Sequence, residues 1–193
     1  GNNSAQIKAA QKKATRTQKK FESLLNKGLY PEQAMEILFG DKSIADFKVE
    51  GTDLNIAVVG YPYAIYDPYL NVSLLDILKK QGVRVYTQDM LSNKQMNKYG
   101  RTLPKNLFWY FSNRAVNGAL YFLDQPYIDG MIHVTAFACG PDAMVDRLIE
   151  IETHKRSSIP YLAVTIDEHT AQTGVQTRVE AFLDMLRYRR DAK

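Results

Sequence analysis

The chain has 193 residues, 45% of them apolar, with 25 Lys+Arg against 21 Asp+Glu, one Cys and one Trp. That composition excludes wholesale disorder, and no apolar run reaches the roughly 18 to 20 residues of a membrane-spanning helix. The single Cys rules out an internal disulfide framework, and one Cys with three scattered His does not build a self-contained zinc site or iron–sulfur cluster, which takes about four protein ligands.

Charge is unevenly placed. Residues 1–20 carry Lys8, Lys12, Lys13, Arg16, Lys19 and Lys20 with no acid, a net +6, so the other 173 residues hold 19 basic and 21 acidic side chains, a net −2. A body of that sign argues against nucleic acid as a partner. The basic stretch reads as a helix with Ile7, Ala10, Ala14, Phe21, Leu24 and Leu25 on its apolar side, a solvated face leading to something upstream. A first residue Gly1 in place of Met is expected of an excised piece of a longer chain, and with no signal-peptide pattern a cytoplasmic setting is expected.

Pro31 opens a short helix that Gly40 stops, and residues 41–53 read as a polar linker, which sets residues 1–53 apart as a helical extension. From Leu54 the pattern becomes that of an α/β domain, 54–193. Four β-rich runs follow at 54–60, 83–87, 130–137 and 160–166; the first, third and fourth are almost continuously apolar, as strands covered on both faces are. Asp67-Pro68 offers an N-cap and first-turn proline for a helix to Gln81, with Leu70, Leu74, Leu75 and Leu78 as its stripe and Gly82 as its stop. Ser92 with Gln95, and Thr173 with Gln176, have capping-box spacing. Further helices are expected from Pro104 to Leu123, from Pro141 to Arg156 and from Thr173 to Arg190.

Strand–helix alternation at this spacing predicts βαβ units with right-handed crossovers. The result is an open doubly wound, Rossmann- or flavodoxin-like sheet of about four mostly parallel strands. Such sheets take ligands beyond the carboxyl ends of their strands. Those ends gather Tyr63, Tyr66 and Asp67 after the first run, Cys139, Gly140, Pro141 and Asp142 after the third, and Asp167, Glu168, His169 and Thr170 after the fourth. They are the candidate ligand-binding residues.

Each group has two readings. Cys139 would sit at a helix N-terminus, where free N–H groups favour thiolate, and would serve as a metal or cluster ligand or a nucleophile; otherwise it fills space at a tight turn. Gly140 permits close approach of backbone to a ligand. Asp167 with His169 is the natural pair on one side of a strand end, giving a base or an orienting carboxylate; otherwise Asp167 caps the following loop and Glu168 faces solvent. A Cys139–His169–Asp167 hydrolase triad is sterically allowed across adjacent strands, but no G-x-C-x-G elbow is present. Tyr63 and Tyr66 present hydroxyls or stacking faces, or else pack the loop. Neither a G-x-G-x-x-G fingerprint nor a Walker A lysine motif occurs. The helix of 104–123 is apolar around most of its circumference, which means deep burial or a second contact surface such as a homodimer. His133, inside a strand, and His154, late in a helix, read as structural or solvated.

Four strings coincide in order: GYPYAIYDPYLN at 60–71, LPKNLFWYFSNRAVNGALYFL at 103–123, FACGPDAMVDRLIE at 137–150 and TIDEHTAQTGVQTRVEAFLDML at 165–186. Together they resemble the acyl-CoA dehydratase activase-related proteins, relatives of the 2-hydroxyglutaryl-CoA dehydratase D-component and of benzoyl-CoA reductase subunits, over residues 54–188. The chain departs from the first motif in having Tyr61 where relatives often have His. The resemblance implies a domain of a larger, two-subdomain protein and a [4Fe–4S] cluster held by cysteines of more than one subdomain. Cys139 then matches a cluster-ligating position, with the partner cysteines upstream. It also implies an activase that hydrolyses ATP to drive one electron into the cluster for ketyl radical chemistry. The expected function is to help hold a cluster or an acyl-CoA-like ligand at the carboxyl edge of the sheet. The alternatives are a non-catalytic interaction or regulatory module and, third, the Cys–His hydrolase.

Overall fold

The computed structural model describes residues 3–47, 52–156 and 159–192. Part of the expected 41–53 linker (48–51) and the expected cleavage scar at Gly1 lie outside them. Two compact units result, residues 1–48 with 89–92 and residues 49–88 with 93–193.

The first unit holds α1 (Ser4–Leu25) and α2 (Pro31–Phe39). Asn3 and Gln6 form a capping box at the start of α1, with the Asn3 side chain accepting the Ala5 N–H at 2.8 Å. From Ser4 to Lys20 the side chains of α1 are exposed apart from partly buried Thr17. Its end is different: Leu24 and Leu25 join Leu29 and Ala34 in a small core, against which Phe21, Ile37, Leu38 and Phe47 pack. Burial therefore begins where the one-signed charge ends.

In the second unit, β1 (Asn55–Gly60), β2 (Arg84–Thr87), β3 (Gly130–Ala136) and β4 (Tyr161–Ile166) form one all-parallel sheet in the order β2-β1-β3-β4. Each strand falls within a residue of its expected bounds. Register sets Val58 against both Thr87 and Ile132, and His133 against Ala163. The helices are α3 (Pro62–Tyr66), α4 (Leu74–Lys80), α5 (Asn93–Gly100), α6 (Tyr110–Leu123), α7 (Gly140–Arg156) and α8 (Gln172–Asp191). Helices α4 and α8 pack together, as do α6 and α7. Right-handed crossovers place the two pairs on opposite faces, giving the doubly wound, flavodoxin-like arrangement. Among the described residues no helix is long and apolar enough to cross a membrane.

Several elements differ from expectation. The expected helix 67–81 is a turn over nearly its first half, and α4 starts only at Leu74. Asp67 does cap, but caps the turn, accepting the N–H groups of Tyr69 and Leu70. Buried Asn71 then interrupts: its amide donates to the Ile65 carbonyl at 2.6 Å and accepts the Leu74 N–H at 3.1 Å. Helix α6 starts at Tyr110 instead of Pro104, and α8 follows Ala171, which makes no side-chain cap bond. The all-round apolar character of α6 is deep burial in its middle and end, from Ala115 to Leu123, while Phe108, Trp109, Tyr110 and Phe111 stay exposed at its entry. β4 is an edge strand, half-buried over most of its length with Thr165 exposed, so its apolar run overstates its covering.

Candidate functional site

From β1 the chain moves to β2 on one side, then returns to β3 on the other side of β1. The switch point lies between the carboxyl ends of β1 and β3, the place where a crevice opens in such sheets.

On the β1 side the strand ends at Gly60, with φ 152°. A Cβ there would stand 2.4 Å from the Val134 carbonyl oxygen, so only glycine lets the two strands approach this closely. Buried Gln88 clamps the same residue: its amide donates to the Gly60 carbonyl at 2.6 Å and accepts the Gly60 N–H at 3.2 Å. The clamp in turn needs Gly118, where a Cβ would lie 2.4 Å from that of Gln88. Tyr61 follows, buried, sharing a 2.6 Å hydrogen bond with Ser112 and packing against the rings of Tyr63 and Phe111.

On the β3 side Phe137 is exposed and donates its N–H to the Ile166 carbonyl, and Ala138 takes the left-handed conformation at φ 59°. That bend turns the chain into α7. The Cys139 carbonyl accepts the Ala143 N–H, so Cys139 occupies the capping position, its thiol half-buried. Gly140 is exposed with open space where a side chain would be, and Pro141 is partly buried. Burial raises the phenol pKa of Tyr63, and the charges of Cys139 and Asp142 raise it further; the same two groups act on Tyr61, after burial and the opposing Ser112 hydrogen bond. Tyr61, Tyr63, Cys139 and Asp142 thus lie within electrostatic range of one another. Asp142 itself is 1% exposed and turned inward, its Oδ2 accepting the Ala136 N–H at 2.8 Å.

The other candidates have partners of their own. Tyr66 hydrogen-bonds Thr87 on β2 at 2.6 Å. At the end of β4, Asp167 accepts the His169 N–H at 3.0 Å and the Thr170 hydroxyl at 2.7 Å. The Thr170 bond, against a small opposing effect of desolvation, holds the Asp167 carboxyl below its usual range. The side chains of Glu168 and His169 are 81% and 85% exposed and stand 3.8 Å apart. No hydrogen bond joins Cys139 to His169 or Asp167 among the described residues.

A four-iron cluster takes about four ligands, and this chain brings one thiol. Among the described residues no three His, Cys, Asp or Glu side chains group as metal ligands. The residues present do not by themselves fit a cluster.

Sequence reasoning missed a second constellation under the same edge. His133, in the middle of β3, is wholly buried; its Nδ1 lies 2.9 Å from Asp146 Oδ1, which also accepts the Tyr161 hydroxyl. Asp142 and Asp146, one turn apart, share the inward stripe of α7 with Val145 and Ile149. The available signal was a histidine inside an apolar strand followed by two acids at helical spacing.

Fold and switch point together define an open α/β protein of flavodoxin-like strand order with a thiol at the carboxyl edge of its sheet. A family model described as 2-hydroxyglutaryl-CoA dehydratase, D-component, matches residues 48–186, and one described as CoA enzyme activase uncharacterised domain matches residues 1–91. The chain belongs to the 2-hydroxyglutaryl-CoA dehydratase D-component family. A comparison with curated proteins gave no match.

Proposed function

We propose that this chain is the α/β part of an activase- or dehydratase-related protein and takes an acyl-CoA-like ligand at the β1/β3 switch point, beside Cys139. The observation that carries this reading is the convergence there of Tyr63, the Cys139 thiol and the first turn of α7. Free N–H groups at the start of a 17-residue helix favour a thiolate or an anionic ligand atom. Tyr63 and Phe111 supply exposed ring surface for an apolar portion. In the cluster version of the reading, Cys139 is this chain's single ligand. The remaining thiolates then come from upstream domains of the same polypeptide, an ATP-dependent activase is the partner, and a reducing cytoplasm keeps the thiol free.

A second reading, an interaction or regulatory module, is favoured by the β4 end, where Asp167 and Thr170 bond each other. The exposed rings at 108–111 would then be its contact surface, a homodimer among the candidates. Titrating acetyl-CoA into the isotope-labelled chain separates the two. Amide shifts at 60–63 and 139–143 are expected; no shifts, or shifts confined to 167–170, contradict the ligand reading.

A further inference from the structure

We propose that His133, Asp142 and Asp146 form a proton-held latch that fixes the first turns of α7 on the sheet. The argument starts from atoms. The His133 ring is 0% exposed, and its Nδ1–H donates to Asp146 Oδ1 at 2.9 Å. Its Nε2 faces Asp142 Oδ1 at 3.6 Å, and both of these buried atoms have no hydrogen-bond partner among the described residues. A neutral imidazole has one N–H, and Nδ1 uses it. Nε2 would then set a lone pair against a carboxylate oxygen, two buried acceptors face to face, which is costly. An imidazolium removes the conflict, donating from one nitrogen to each carboxylate.

The surroundings agree. Burial favours the neutral ring, but Asp142 and Asp146 outweigh it and hold the pKa of His133 above the ordinary value. The same bond, against the opposing effect of burial, holds Asp146 below its usual range. From β4 the facing group is Tyr161, whose hydroxyl donates to Asp146. β1, from Asn55 to Gly60, brings no ionisable side chain, and the ionisable side chains of α6 are Tyr110, Arg114 and Tyr121. Glu150 of α7 acts on Tyr161, and Tyr61 feels Asp142.

The latch holds what the edge depends on. Asp142 ties α7 to the end of β3 through the Ala136 N–H, and Cys139 begins that helix. When the ring loses its proton, Asp142 Oδ1 is left buried beside an acceptor and the first turns open more readily. In the opened state the ring has an ordinary pKa of about 6.5. Between that value and the raised one of the closed state, opening releases one proton, so its equilibrium constant rises about tenfold per pH unit. The inference does not depend on which ligand the edge takes.

The test is made on the full 193-residue chain. The His133 ring signal and amide-exchange protection factors, corrected for intrinsic pH dependence, are followed from pH 5 to 9. The ring is expected to titrate above about 6.5. Over the same range protection at 143–147 should fall about tenfold per pH unit, while protection at 179–183 in α8 holds. A ring that titrates at or below about 6.5, a titration without change at 143–147, or an equal fall in α8 overturns the proposal. His133→Gln, which keeps a donor without a titrating proton, should abolish the slope, and a slope that survives overturns it; if that variant does not fold, the wild-type titration decides alone.

Discussion

Replacing Gly60 by Ala tests the close approach on which the switch point is built. The new Cβ would sit 2.4 Å from the Val134 carbonyl oxygen, and that oxygen is backbone, so a strand must move. The φ of 152° is one that side-chain-bearing residues rarely adopt, a strain of about 1–3 kcal/mol. Overpacking at a site that cannot rotate away adds about 1–3 kcal/mol. A shifted Gly60 also weakens the two Gln88 hydrogen bonds, each worth about 1 kcal/mol. The expected loss is roughly 3–6 kcal/mol, a large part of the roughly 5–15 kcal/mol a domain has. For a chain of this size that lowers Tm by roughly 6–24 °C. Urea and thermal unfolding followed by circular dichroism measure it, with Gly140→Ala as control, since nothing lies within 4 Å of a Cβ there. A Gly60→Ala loss within about 1 kcal/mol of the control would refute the packing argument.

Gln88→Leu keeps the volume but leaves the Gly60 N–H and C=O buried and unpaired, an expected cost of about 2–4 kcal/mol by urea unfolding. Because the Asp146 carboxyl is held low chiefly by its bond to His133, its contribution is present above its unfolded-state pKa near 4 and is lost as pH falls through the depressed folded value. Asp146→Asn should therefore flatten the acid limb of a stability–pH profile, and an unchanged limb would count against the pairing. Deleting residues 3–20, which are exposed apart from partly buried Thr17, should leave the Tm of the α/β unit within about 2 °C, read by calorimetry.

The sheet was legible because its strands are short apolar runs bounded by helix signals, a pattern local enough to read without partners. What escaped were elements decided by partners distant in sequence. Leu70 to Leu78 show a helical stripe, yet Asn71 ties back to Ile65 and delays the helix until Leu74. α6 reads as two-faced because its covering layers are invisible from its own residues. At the site, the thiol at the start of α7 follows from strand, small residues and proline in order. The pairing of Asp67 and Asp167 with their own loops depends on hydrogen bonds that either carboxylate could equally have made to a ligand. A histidine in an apolar strand and two acids at helical spacing were legible, but not that Asp142 and Asp146 meet His133, which they do only once α7 folds back over β3.

Because Cys139 is the only thiol in the chain, its alkylation reads the switch point without ambiguity. The decisive measurement is the rate of iodoacetamide modification of the intact protein with and without saturating acetyl-CoA, quantified by mass. A ligand seated between the ends of β1 and β3 covers the half-buried thiol, and the rate is expected to fall about tenfold or more when nearly all sites are filled. An unchanged rate under conditions where acetyl-CoA is shown to bind would place the ligand elsewhere and contradict the account.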